Sequence, residues 1–180
     1  MSICVFCGSS TGHDKAFAEA AKTLGIVLAQ RNISLVYGGG NVGLMGILAD
    51  CVLQHGGSAI GVIPEFLLNR EVGHKGLTRL EVVSSMHERK KRMADLSDAF
   101  IAIPGGWGTL DELAEILTWK QLGLINQPIG ILNVNYFFDP LLTQMVAMEE
   151  AGFLRSAYLD FLKVSTSSEE LVDTLMPQKG

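Results

Sequence analysis

Two glycine-rich runs and one oddly placed cation hold the chemical potential of this sequence. Gly38-x-Gly40-x-x-Gly43 follows a short apolar run and precedes a helical pattern. Pro104-Gly105-Gly106-Trp107-Gly108-Thr109-Leu110-Asp111-Glu112 repeats the arrangement further along. Glycines at a strand-to-helix turn let the backbone approach a phosphate, and the helix start offers free N–H groups to an anion. The first run matches the dinucleotide fingerprint, with Glu65 near the end of the next strand, about where a ribose-binding acid falls. A tight turn with no ligand explains the same glycines. The second run is not called for by a dinucleotide fold. Two helix starts on one edge suit a compact anion, such as a monophosphate on a sugar. Thr109-x-x-Glu112 also reads as a capping box, which accounts for those two residues but not for the three glycines before them.

The cation is Arg89, in Met86-His87-Glu88-Arg89-Lys90-Lys91-Arg92-Met93. On a helix, Met86, Met93 and Leu96 share a face, and Arg89 falls between Met93 and Leu96 on the packed side. Lys91 and Arg92 fall outside that stripe and read as solvated. Arg89 also stands in the first turn, where the helix dipole disfavours a cation. A buried-side cation needs an anion beside it. That anion is either a ligand or a carboxylate such as Asp95 or Glu112.

The elements that must hold these groups follow from the apolar pattern. Strands are expected at Ile3–Cys7, Ile33–Tyr37, Ser58–Ile63, Leu80–Val83, Ala99–Ile103, Ile129–Val134 and Phe161–Val164. Helices are expected over Asp14–Arg31, Leu44–Gln54, Met86–Ser97, Leu110–Leu124, Phe137–Glu150 and Glu169–Met176. Strands that alternate with helices and lack polar alternation give an α/β, Rossmann-like, mainly parallel sheet with helices on both faces, in a single domain over residues 1–180. The C-terminal ends of its strands then lie on one edge. That edge gathers Gly8–Gly12, Gly38–Gly46, Pro64–Arg79, Ser84–Arg89 and Pro104–Glu112. The long Pro64–Arg79 loop carries Glu71, a solvated carboxylate unless the loop folds over the site.

Composition narrows the function classes. A net charge of -5 argues against a nucleic-acid binder. The apolar runs are far shorter than the roughly 20 residues that cross a bilayer. The N-terminus has no basic stretch of a signal peptide, so a cytoplasmic protein is expected. Cys4 and Cys7 form a C-x-x-C within a strand, where residues three apart point to opposite faces, so they read as buried thiols and not a metal or redox pair. His13, His55, His74 and His87 show no metal spacing. No G-x-S-x-G elbow is present, and no lysine lies in a Schiff-base context. No metal and no cofactor are expected.

Taken together, the two glycine runs and the intervening Met86-His87-Glu88-Arg89-Lys90 resemble the Lonely Guy family, from the first strand to about Phe153. The resemblance implies a Rossmann-like homodimer that hydrolyses cytokinin riboside 5′-monophosphates, or AMP, to free base and ribose 5-phosphate. It implies Arg89 and Glu112 as catalytic residues. It implies substrate contacts from Glu71, Arg89, Lys90, the Gly106–Glu112 loop (Gly106, Trp107, Gly108, Thr109, Leu110, Asp111) and Thr118. Gly8, Ser9, Gly40, Gly43, Met86 and Gly105, in the same loops, complete the candidate contacts. Trp107 and Asp111 stand where plant members usually carry Tyr and Glu. Members have often been labelled lysine decarboxylases, which this sequence does not support. In the implied chemistry Glu112 stabilises positive charge on the sugar and orients or deprotonates a water, while Arg89 holds the phosphate or a ribose hydroxyl and keeps Glu112 ionised. Two other classes compete. A nicotinamide-dependent oxidoreductase would use Gly38–Gly43 and Glu65, but leaves no room for a substrate domain. A non-catalytic nucleotide carrier would use the same scaffold.

Overall fold

Strand β1 (Ser2–Phe6) is buried on both faces from Ile3 onward, which only a central strand of a covered sheet can be. The computed structural model describes residues 1–68 and 73–176. Beside β1 lie β2 (Ser34–Tyr37), β3 (Ala59–Pro64) and β4 (Arg79–Val83) on one side. On the other lie β5 (Ala99–Ala102), β6 (Ile129–Leu132) and β7 (Leu162–Ser165). The order is β4-β3-β2-β1-β5-β6-β7, and every neighbouring pair is parallel. The chain winds outward from β1 to one edge, returns, and winds outward from β5 to the other.

Alternation along the strands sends side chains to two cores. Ile3, Val5, Leu35, Tyr37 and Ile101 meet α1 (Lys15–Gln30), α2 (Gly43–Gln54) and α7 (Ser168–Leu175) through Leu24, Leu48 and Val172. Cys4, Phe6, Val36, Phe100 and Ile131 meet α3 (Met86–Asp95), α4 (Trp107–Gln121) and α5 (Asp139–Glu150) through Met93, Leu113 and Phe138. Cys4 and Cys7 accordingly belong to opposite cores, and neither is in a disulfide.

The helix starts differ in a way that matters later. Asp14 caps α1 by accepting from the Ala16 N–H at 2.9 Å, Ser85 caps α3 by accepting from Glu88 N–H at 3.2 Å, and Ser167 caps α7 by accepting from Glu170 N–H at 3.3 Å. No side chain caps α2, α4 or α5, and the N-cap of α4 is Gly106. The helix begins at Trp107 and not at Leu110, because Gly108 is tolerated in a first turn. Thr109 is therefore the third helical residue, and the capping-box reading of Thr109 and Glu112 does not hold. A short helix, α6 (Ser156–Leu159), precedes β7 and carries no apolar period long enough to expect.

Arg92 is engaged with a carboxylate, unlike the solvated side chain its helical position suggests. Its Nε and Nη2 donate to Glu81 of β4 at 2.6 and 3.1 Å, and Arg79 pairs with the same carboxylate. The Arg92 hydrogen bond holds the Glu81 carboxyl below its usual range. A depressed carboxylate stabilises the fold above its unfolded pKa of about 4.3 and loses that contribution as pH falls through the native value. Arg92→Ala is expected to lower the melting temperature at neutral pH by the equivalent of at most about 1 kcal/mol, the pair being partly exposed. The gap to wild type should close on acidification below about pH 4. A gap that persists unchanged in acid would assign Arg92 a packing role alone.

Candidate active site

Because the chain departs from β1 and β5 in opposite directions, their C-terminal loops separate and leave a crevice between them. Two backbone bonds pin its rims: Ile103 N–H to Phe6 O at 3.0 Å and Gly8 N–H to Pro104 O at 3.1 Å. The crevice holds a cavity of about 140 Å³. Cys7, Gly8 and Ser9 line it from β1, Gly38 and Met45 from the β2–α2 passage, Arg89 from α3, and Gly106, Trp107, Gly108, Thr109 and Glu112 from α4.

Arg89 is 5% exposed, as its place in the helix pattern implies. Its Nε donates to Val62 O at 3.1 Å and its Nη2 to Gly38 O at 3.0 Å. Two strand-end carbonyls thus fix the plane of the guanidinium at the cavity wall. A Cβ on residue 38 would fall on that guanidinium, so Gly38 is required by the arginine. The same device recurs at the second glycine run, where a Cβ on residue 105 would fall on Thr109 Oγ1. Thr109 is 3% exposed, and its hydroxyl has no hydrogen-bond partner among the described residues. Leaving a buried hydroxyl unsatisfied costs on the order of 1–3 kcal/mol. An orphaned hydroxyl beside an uncapped helix start is a place prepared for an acceptor-rich ligand.

Glu112 lies one turn beyond Thr109 on the same helix face and is partly buried. Its charge and that of Arg89 both reach the Cys4 thiol inside the sheet. Burial, then Glu112, push that thiol well above its usual range, while Arg89 opposes them. Burial thus favours the neutral thiol at Cys4, and Arg89 and Glu112 both line the crevice beside it.

Other expected contacts fall elsewhere. Lys90 Nζ is 3.1 Å from both Asp111 and Glu115, clamping α3 to α4. Burial disfavours the charged Lys90, but the two carboxylates outweigh it and hold its pKa above the usual lysine value. Neither Lys90 nor Asp111 lines the cavity. Met86 Sδ lies 3.7 Å from Arg89 Nη1, behind the guanidinium. Gly105 lies under Thr109 and lines a neighbouring cavity of about 210 Å³ with Phe17 and Phe137. Leu110 and Thr118 line a separate apolar trough between α4, α5 and β7, and Thr118 Oγ1 donates to Ala114 O at 2.8 Å. Gly40 forms a bridge with Gly73. Gly43 has φ +59°, and a Cβ there would strike the Ser9–Ser10 backbone. At the α2 start the Gly8 carbonyl accepts from Leu44 N–H at 3.0 Å, which fills one first-turn donor, and Met45 of the same turn lines the cavity. Glu65 is exposed in a 3-10 turn after β3, outside the cavity lining. Glu71 lies outside the described residues. Val5, Cys7, Gly38 and Met45, which line the cavity, were not among the expected contacts. Cys7 was legible as the last residue of a central strand, and Met45 as a first-turn residue after a glycine run.

Among the described residues no group of three or more His, Cys, Asp or Glu side chains could hold a metal, and no helix is long and apolar enough to cross a membrane. The fold and the crevice define a doubly wound α/β protein with a cavity at its switch point. The comparisons sharpen this. Residues 45–175 match the family described as "possible lysine decarboxylase". A cytokinin riboside 5′-monophosphate phosphoribohydrolase of Arabidopsis thaliana is 46% identical over 96% of this chain and 81% of its own length. One from Oryza sativa subsp. japonica is 45% identical over 94% of this chain and 70% of its own. The chain belongs to the Lonely Guy family of these phosphoribohydrolases. The molybdenum cofactor carrier protein of Chlamydomonas reinhardtii shares the fold, with a TM-score of 0.73 at 20% identity over 98% of both chains.

Proposed function

We propose that this protein is a phosphoribohydrolase that cleaves the N-glycosidic bond of cytokinin riboside 5′-monophosphates or AMP, giving free base and ribose 5-phosphate. The observation that carries this is the meeting of Arg89, the orphaned Thr109 hydroxyl and Glu112 in one crevice at an uncapped helix start. The phosphate is taken by the first-turn N–H groups of α4 and by Thr109 Oγ1. Arg89, fixed by Val62 and Gly38, contacts the sugar phosphate from the opposite wall. Glu112 faces the anomeric carbon, where positive charge builds as the C1′–N bond lengthens. A water attacks that carbon, its proton passes to Glu112, and the base leaves with the bond electrons and takes up a proton from solvent to become the free base. The named relatives act in the same class, which favours hydrolysis over the oxidoreductase reading. That reading also loses its ribose acid, since Glu65 is outside the lining.

A cavity of about 140 Å³ is small against the roughly 300–1,000 Å³ of typical ligand sites. A cavity of this size suits the ribose phosphate alone, with the base outside it towards Trp107, which is 87% exposed at the rim. Incubation with AMP and isopentenyladenosine monophosphate tests the reading: base release supports hydrolysis, tight binding of unchanged AMP supports a carrier, and NAD binding supports the oxidoreductase.

The active form we infer is a cytoplasmic homodimer that binds no nucleic acid. Helix α5 has no buried residue, and the trough beside it, about 610 Å³, is almost wholly apolar. An exposed apolar surface of this kind marks an interface. Light scattering at micromolar concentration is expected to give twice the 19.4 kDa chain mass. A monomer mass, with a lysine substituted for Val146 leaving it unchanged, would remove the dimer.

A further inference from the structure

His74 is a buried titratable side chain that the chemistry above does not use. It is 7% exposed and stands in the β3–β4 connection. Three bonds converge on it. Its ring Nδ1 accepts from Gly76 N–H at 3.0 Å, which leaves the proton on Nε2. Nε2 then donates to Asp50 Oδ1 of α2 at 3.0 Å. Its own backbone N–H donates to Gly39 O at 3.0 Å, next to the Gly40–Gly73 bridge. The ring thus ties the β3–β4 connection to α2, and the backbone ties it to the first glycine run.

Gly39 lies between two working carbonyls. Gly38 O holds Arg89 Nη2, and Gly39 O is held by His74. Gly39 itself has φ +76°, a conformation that glycine adopts freely and leaves as freely. Its two flanking peptide planes keep their relative angle only if something outside the turn restrains them. We propose that His74 is a positioning residue for Arg89: latched by Asp50, it restrains the Gly39 peptide and so aims the Gly38 carbonyl at the guanidinium. This rests on Arg89 acting at the site as proposed above.

The test combines a double-mutant cycle with a measurement that needs no turnover. His74→Ala is expected to lower kcat/KM for AMP about tenfold in the wild-type background and to have no further effect in the Arg89→Ala background, because coupled residues are non-additive. Asp50→Ala should reproduce the loss, while Asp50→Asn, whose amide oxygen still accepts from Nε2, should restore most of it. Side-chain nitrogen NMR of Arg89 should show its Nη protons exchanging with solvent at least about tenfold faster in His74→Ala and in Asp50→Ala, as expected on loss of a buried hydrogen bond. Should His74→Ala fail to fold, Asp50→Ala decides alone. Equal losses in both Arg89 backgrounds, or unchanged Arg89 exchange, would overturn the proposal. If the wild-type protein releases no base from AMP, the functional reading fails while the exchange measurement still decides the positioning role.

Discussion

Glu112→Gln is expected to keep the fold and to lose roughly a hundredfold or more in base release, about 2.7 kcal/mol of transition-state stabilisation. The substitution preserves length, shape and helix propensity, so α4 has no reason to unwind. It also avoids disturbing a cap, because Thr109 lies inside the helix and Gly106 stands at its N-cap. In the mechanism proposed above, what changes is the charge facing the reacting carbon and the ability to take a proton from water, neither of which an amide supplies. The readouts are kcat for adenine release from AMP and a thermal melt of the same preparation. Near wild-type turnover in a folded Gln variant would take Glu112 out of the mechanism. A large drop with an unchanged melt would leave it in.

The second large effect concerns the phosphate. AMP should be cleaved and adenosine largely ignored, because binding energy from the remote phosphate orients the sugar and should appear in kcat as well as in KM. Arg89→Ala should remove most of that discrimination. Arg89→Lys is no remedy, since an ammonium cannot reproduce the planar fork that reaches Val62 and Gly38. Arg92→Ala should leave it intact, its guanidinium being held by Glu81. Thr109→Val gives the sharper sign. It removes a buried hydroxyl that lacks a partner among the described residues, so the free protein should gain about 1 kcal/mol in stability. The same change takes away a phosphate donor, so AMP cleavage should fall while the slow reaction with adenosine stays put. A variant that is both more stable and fully active on AMP would show that the hydroxyl meets no ligand. Adenosine cleaved as fast as AMP would reduce the glycine runs to turns.

Features set by local pattern were readable along the chain. The buried strands, the opposite placement of Cys4 and Cys7, and the inward aim of Arg89 all follow from periodicities of two or 3.6 residues. Features set by distant partners were not. Strand order determines that the loops after β1 and β5 flank the crevice, and no single loop encodes that order. Gly38 looks like a phosphate-loop glycine until Arg89, 51 positions away, is seen to fill its side-chain volume. Lys90 looks available until Asp111 and Glu115 on the next helix take it. Thr109-x-x-Glu112 misleads for the opposite reason. The pattern is local and familiar, but the helix starts three residues earlier, so the threonine faces inward with nothing to cap.

The two filled glycine sites also bear on how this active site can change over generations. Position 38 can accept a methyl group only after the arginine at 89 has gone, whereas a methyl at 105 meets the Gly8 backbone nitrogen as well as Thr109, so losing the threonine does not free that position. At position 38 the reverse order passes through an intermediate with a Cβ overlapping the guanidinium. Drift at that pair is therefore directional: a lineage can abandon the site by losing Arg89 first and then letting Gly38 go. To regain it, the glycine must return before the arginine does. A methyl acquired at 38 works as a ratchet, making the loss of function harder to reverse.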